Sequence, residues 1–284
     1  MNPLELAFMQ KAVVACTVIA AVAPLVGSFI VQRGQSLVGD GMGHVAFAGV
    51  GLALLVGAEP LVGALGLAVL AGFLLVRMSR VGLAGDLAIA LVFYGGIALG
   101  YLFSSRANAG QTRLVGVLFG SPLNLTWGQV GVIAALAAAV VAITVALYPR
   151  LVALAFDEPA ARVAGVPTER MVMALTLMVA LVVVGGMSSI GLLLIAAMMV
   201  VPVAAAARLA SSYLTTLALA SAIGASSAVG GLLVAYYQDY SPGSTIVLVA
   251  IGSYVVITAV SSLGSRLRTR HLGHLSAHPH QRAG

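Results

Sequence analysis

Apolar runs of bilayer-crossing length recur along almost the whole chain, and this pattern narrows the possible folds more than any single motif does. Lipid offers no partner for backbone N–H and C=O groups, so each crossing must be a helix of about 20 apolar residues or part of a closed barrel. Runs bounded by charges, Gly and Pro predict spans near 10–31, 38–57, 60–77, 84–104, 128–149, 170–188, 190–207, 213–236 and 244–263. Only Ala58-Glu59 separates the second from the third, and only residues around Ser189 separate the sixth from the seventh, so eight spans are as defensible as nine. Charged residues make up 8% of the chain, against roughly 25% in soluble domains. The expected fold is therefore all-α, a polytopic transmembrane bundle over residues 1–265 in the cell membrane, with no separate soluble domain.

The net charge of +6 raises the question of nucleic acid, but the basic residues stand singly at span ends or gather in the tail. That distribution is the signature of topology. With the loop 150–170 placed in the cytoplasm, Arg33, Arg77, Arg80, Arg150, Arg162, Arg170, Arg208, Arg266, Arg268, Arg270 and Arg282 fall inside, and Lys11, Arg106 and Arg113 outside. An external N-terminus and a cytoplasmic C-terminus follow. Glu5 precedes the first apolar run and no charged n-region leads into a cleavage site, so the first span is expected to be retained. A single cysteine, Cys16, excludes an internal disulfide framework and thiolate metal clusters.

Within the second span stand Asp40 and His44. Ionisable groups in a membrane span are costly and point to function. A spacing of four puts both on one helical face, where an oxygen and a nitrogen donor can converge on a small cation. The alternative is a hydrogen-bonded pair that fixes helix contacts. Two ligands are too few for a tetrahedral site, but a symmetric dimer would bring two copies of the pair to one axis and make four. Gly39, Gly41, Gly43, Gly49 and Gly51 share this span, and small residues let helices approach closely. Gly41 and Gly43 between the two ligands predict a less regular turn.

Two connections exceed a simple turn. Ser104 to Trp127 reads as an outside loop with a short re-entrant or surface helix. Arg150 to Arg170 carries Asp157-Glu158-Pro159 and, farther on, Gly165, the start and stop signals of a short helix outside the lipid. Asp157, Glu158 and Arg162 suit either a solvated loop face or a helix that docks on a cytoplasmic partner. No Gly-Lys-Ser/Thr phosphate loop occurs, so the chain is not its own P-loop ATPase. Asp239 reads as a turn cap before Pro242-Gly243, Asp86 as a favourable charge at a helix start, and Met42 and Met187 as core fillers. The tail 266–284, with His271, His274, His278 and His280, reads as disordered, its histidines incidental or weakly metal-binding.

These segments together resemble the permeases of zinc and manganese ATP-binding cassette importers. Gly39-Asp40 with His44 resembles their second-span motif, and Asp157 to Val166 their cytoplasmic coupling segment. Val184-Gly185 to Arg208, with Gly191-Leu192-Leu193-Leu194 and Val201-Pro202-Val203-Ala204, is similar to their signature span pair, and Ser241-Pro242-Gly243 to the turn before their last helix. The resemblance implies a type II importer permease that works as a homodimer with a cytoplasmic ATPase dimer and an extracytoplasmic metal-binding protein. It implies Asp40 and His44 as the metal site, and Asp157, Glu158, Ala161 and Gly165 as the ATPase-coupling residues. It further implies no enzymatic chemistry in this chain and no permanently bound cofactor, only a transported divalent ion. Zinc comes first and manganese next on donor chemistry. Competing readings are a permease for siderophores or cobalamin and, from another class, a membrane-embedded zinc enzyme. The latter needs a third ligand and a general base, yet every other histidine lies in the tail.

Overall fold

The computed structural model describes residues 5–82, 85–106 and 116–275, and among these every regular element is helical. The helices are α1 (Ala7–Gln32), α2 (Val38–Val56), α3 (Pro60–Arg80), α4 (Gly85–Arg106), α5 (Trp127–Phe156), α6 (Glu158–Val163), α7 (Thr168–Met187), α8 (Leu192–Ala206), α9 (Tyr213–Gln238) and α10 (Pro242–Leu275). Eight of them are long and apolar enough to span a membrane. Part of the expected outer loop, residues 107–115, lies outside the described residues. Its far end holds a 3-10 turn, Pro122–Asn124, and a Thr126 capping box that starts α5.

Contacts between helix ends resolve the eight-or-nine ambiguity. Arg33, just after α1, is ion-paired with Glu158 at the start of α6, so those two ends share a face of the bundle. Tyr213, the first residue of α9, packs tilted against Phe29 and edgewise against Phe156, at ring distances of 5.7 and 5.4 Å, which puts the start of α9 on that same face. The far end of α7 lies opposite, where Ser121 N–H donates to the Ser188 carbonyl. Helix α8 must therefore carry the chain back, although it has only 15 residues. Among the described residues the chain makes nine traverses, eight of full length and one short.

Three spans form the centre. The apolar windows of α1, α2 and α7 are 67%, 67% and 72% buried, while those of α3, α4, α5, α9 and α10 stay at or below 39%. Lipid-facing leucines, valines and tyrosines account for the difference, because a bundle in hydrocarbon has no reason to hide them. Inside, small residues set the spacing. Pro24 of α1 lacks the N–H that would bind the Ala20 carbonyl, and Gly224 of α9 approaches the bundle at that carbonyl.

Several boundaries differ from expectation. Helix α5 runs past Pro149 and Arg150 to Phe156, because Leu151 and Leu154 continue its buried face. Helix α10 extends to Leu275, through residues 266–275 of the segment expected to be disordered; residues 276–284, with His278 and His280, lie outside the described residues. Asp239 caps α9 in the left-handed region, φ 58°, matching its reading as a turn residue.

The α2–α3 contact tests the role of small residues. A Cβ on Gly49 would overlap the backbone of Gly63 and Ala64, which cannot rotate away, whereas one on Gly66 meets nothing within 4 Å. Gly49→Val is expected to destabilise the detergent-solubilised protein by about 1–3 kcal/mol, the usual cost of overpacking, and to lower its Tm in a thermal-shift assay. Gly66→Ala should leave the Tm unchanged or slightly higher.

Candidate functional site

The glycines of α2 face outward in several directions, and each meets a neighbouring helix. Gly39 faces Ala196 and Met199 of α8, Gly43 faces Leu192, Gly41 faces Ile89 and Phe93 of α4, and Gly49 faces α3. The helix is regular through Gly41-Met42-Gly43, contrary to the expected loose turn. Met42 is fully buried between the two glycines, so tertiary contacts on both sides supply the order that the local sequence lacks.

The polar side of α2 is only partly covered, by α4. Asp40 and His44 are both half-buried, one turn apart on a face shared with Phe47. The spacing argument is thus met in space, with the pair at the edge of the α2–α4 contact. The His44 ring stands edge-on to Phe93 at 4.7 Å, and Phe93 in turn to Tyr94 at 5.3 Å. On α4, Gly96 lies so close that a Cβ would come 2.9 Å from the His44 carbonyl carbon and 2.7 Å from Val45 N. Gly96 sits at the middle of α4, which runs from Gly85 to Arg106, so His44 lies level with the middle of a span.

Asp40 opens on a cavity of about 340 Å³ bounded by the α1–α2 connection and α4, with Gln35, Ser36, Asp86, Phe93 and Tyr94 in its wall. Asp86 was read only as a helix-start charge; the fold brings it into the same cavity as Asp40 across 46 positions of sequence, a proximity that no local pattern announces. Among the described residues no cluster of three or more His, Cys, Asp or Glu side chains exists. The described residues of one copy thus place one carboxylate and one imidazole a turn apart on one face of α2.

The second set of expected residues gathers around α6. Asp157 caps it, its Oδ1 accepting from Ala160 N–H at 2.9 Å. Glu158 pairs with Arg33 at 2.9 Å and with Arg162 at 3.3 Å. Ala161 is turned inward and buried, so its side chain seats α6 on the bundle and is not presented outward; the outward group is Val163, 90% exposed. Gly165 ends the helix at φ +82°, with Gly165 N–H bonded to Arg162 O and Val166 N–H to Ala161 O. That paired arrangement is the glycine-dependent helix stop in which the residue after the cap must be left-handed. Arg33 and Gln35 went unnoticed as site residues in the sequence, since a lone arginine at a span end is fully explained by topology.

The match to known proteins falls on this framework. Residues 5–261 match the ABC 3 transport family. The chain belongs to this family. It is 32% identical over 254 residues to a manganese import system permease protein, ScaB, of Streptococcus gordonii, covering 88% of this chain and 90% of that one. It is 30% identical over 250 residues to a manganese transport system membrane protein, MntC, of Listeria monocytogenes, covering 87% and 88%. Among solved structures, PsaBC from Streptococcus pneumoniae in complex with Fab superposes with a TM-score of 0.82 at 30% identity, covering 90% of this chain and 93% of that one. The chain is accordingly a multi-pass membrane permease of an ABC transporter for metal, and not itself an enzyme.

A left-handed residue with a Cβ costs roughly 1–2 kcal/mol. Gly165→Ala is therefore expected to fray α6, speeding amide exchange across residues 158–166 by about 5-fold or more. Hydrogen–deuterium exchange read by mass spectrometry checks this, and exchange in α7 should stay as in the parent.

Proposed function

We propose that this chain is the permease subunit of an ATP-driven importer of a divalent metal ion, manganese first and zinc second, and that Asp40 and His44 are its ligands in the pathway. The observation that carries the reading is the placement of these two side chains: one carboxylate and one imidazole, a turn apart and half-buried at the edge of the α2–α4 contact, with His44 level with the middle of α4 and Asp40 opening on a cavity. Imidazole and carboxylate oxygen suit both ions. Relatives named for manganese put that ion ahead of zinc, which donor chemistry alone would favour.

A second copy of the chain would supply the missing ligands. Two Asp40–His44 pairs meeting across an axis make four donors, and relative movement of the two copies would open and close the set. Such a site need not hold its ion tightly. Asp86, in the wall of the same cavity, offers the next carboxylate toward the Arg-rich face.

Energy must come from another subunit, because this chain lacks a phosphate loop. Helix α6 suits docking on an ATPase dimer: it is short, capped at both ends and exposed through Arg162 and Val163, and it borders a surface groove walled by Val166, Pro167, Glu169 and Arg170. Delivery of the ion from outside would fall to an extracytoplasmic binding protein.

The test is elemental mass spectrometry on metal-starved cells expressing the complete transporter with parent or His44→Ala permease. Loss of a first ligand should lower accumulated manganese by about ten-fold or more, with the permease present in the membrane at its normal level. A selective fall in zinc would assign zinc as the cargo. Equal accumulation of both metals would remove His44 from the pathway and favour a chelated cargo such as a siderophore.

A further inference from the structure

Arg33 does more than anchor a span end. Its guanidinium donates from Nε to Gln35 Oε1 at 3.2 Å, from Nη1 to the Leu154 carbonyl at 3.2 Å, and from Nη2 to Glu158 Oε2 at 2.9 Å. One rigid, planar group thus ties the α1–α2 connection, the last turn of α5 and the first turn of α6. Its side chain is 10% exposed, whereas that of Arg162, the other partner of Glu158, is 67% exposed. A membrane anchor needs only charge in water. A shielded fork with three different acceptors is built for position.

The chain of bonds continues into the metal-site helix. Gln35 N–H donates to the Ile30 carbonyl at 2.9 Å, and the Gln35 carbonyl accepts from Val38 N–H at 3.0 Å, at the first residue of α2. Asp40 follows two residues later. Beside this chain lies a cavity of about 210 Å³ whose wall includes Arg33, Gln35, Val38, Glu158 and Thr176. The bundle is not filled there, so neighbouring side chains leave the bridge room to move.

We propose that Arg33 is a positioning residue that transmits displacement of α6 to the start of α2, and so to Asp40 and His44. The inference rests on the reading of α6 as the ATPase-docking element and of the Asp-His pair as the ion site. Arg33 touches neither nucleotide nor metal; it makes movement of the first alter the geometry of the second. Glu158 is the receiving end on α6, and Gln35 hands the movement to α2.

The experiment uses the complete transporter, permease with its co-purifying ATPase, in proteoliposomes, reading ATP-driven uptake of radioactive manganese and of zinc alongside ATP hydrolysis. In Arg33→Met, ions moved per ATP should fall at least ten-fold while hydrolysis stays within about two-fold of the parent. Arg33→Lys, which keeps the charge and loses the fork, should lie between. The double variant Arg33→Met/Glu158→Gln should be no worse than Arg33→Met alone, because both substitutions cut one link. Arg150→Met, removal of an exposed arginine from the same face, controls for lost charge and should transport normally.

An unchanged transport ratio in Arg33→Met overturns the proposal, as does a proportional fall of hydrolysis and uptake, which would mark Arg33 as a fold-holding residue only. Should Arg33→Met fail to assemble, Arg33→Lys and Glu158→Gln decide: parent-like ratios in both overturn it. If the parent transporter moves neither ion with ATP, the functional reading itself falls and takes the joint with it.

Discussion

The close approach of α2 to its neighbours is the constraint on which the rest of the site depends. In lipid, helices gain nothing from hiding apolar surface, so association relies on van der Waals contact between backbones that small residues allow to come near. Gly39, Gly41, Gly43 and Gly49 give α2 such contacts with α8, α4 and α3, and Gly96 and Gly100 return the same service from α4. With those sides used, Asp40 and His44 stand half-buried at the edge of the α2–α4 contact. Both groups are spared full burial, while His44 stays level with the middle of α4. Packing and the placement of Asp40 and His44 are thus linked on this helix, since a Cβ at Gly49, Gly96 or Gly100 would overlap a neighbour and shift α2 against α3 or α4.

A similar economy holds at the Arg-rich face. The last carbonyls of a helix have no partner within it, and at the end of α5 Arg33 supplies a donor to Leu154 while pairing with Glu158 on the next helix. An exposed ion pair would contribute about 0–1 kcal/mol. This one is shielded on the arginine side, and its value lies in geometry: three chain segments are held by one planar group. The aromatic contacts of Tyr213 with Phe29 and Phe156 tie α9 into the same face, so the ends of α1 and α5 and the starts of α6 and α9 form one connected plate.

How much of this could be read from the residues depended on whether the signal was local. Span existence was legible because apolar runs between charges carry their own evidence, and α2 begins at Val38 as the pattern says. The stop of α6 was legible for the same reason, since Asp157-Glu158-Pro159 and Gly165 lie within one short segment. Pro149-Arg150 misled because both are ordinary stop signals, yet the apolar face continues through Leu154. The ion pair of Arg33 was invisible, its partner being 125 residues away. Ala161 gives no sequence signal of its orientation, and only the fold shows that it is buried, small enough to seat the helix. The irregular turn expected at Gly41-Met42-Gly43 failed for a tertiary reason: burial of Met42 overrides weak helix propensity.

On the proposed reading the chain contributes half of an ion site, the arrangement a transporter needs and a storage protein does not. Four ligands fixed in one rigid chain would hold zinc tightly, and release would demand breaking the fold. Two ligands on one helix, with the rest contributed from outside the chain, would make affinity depend on the relative position of two bodies, the variable that a docked ATPase could drive. The donor set also bears on selectivity. Zinc outcompetes manganese at almost any nitrogen–oxygen site of fixed geometry, so a chain that carries manganese gains from a site that is incomplete until assembled. A transient, adjustable set of oxygen and nitrogen donors gives zinc less of the tetrahedral closure on which its advantage rests. Discrimination would then rest on what is delivered to the site and on how briefly the assembled set stays closed.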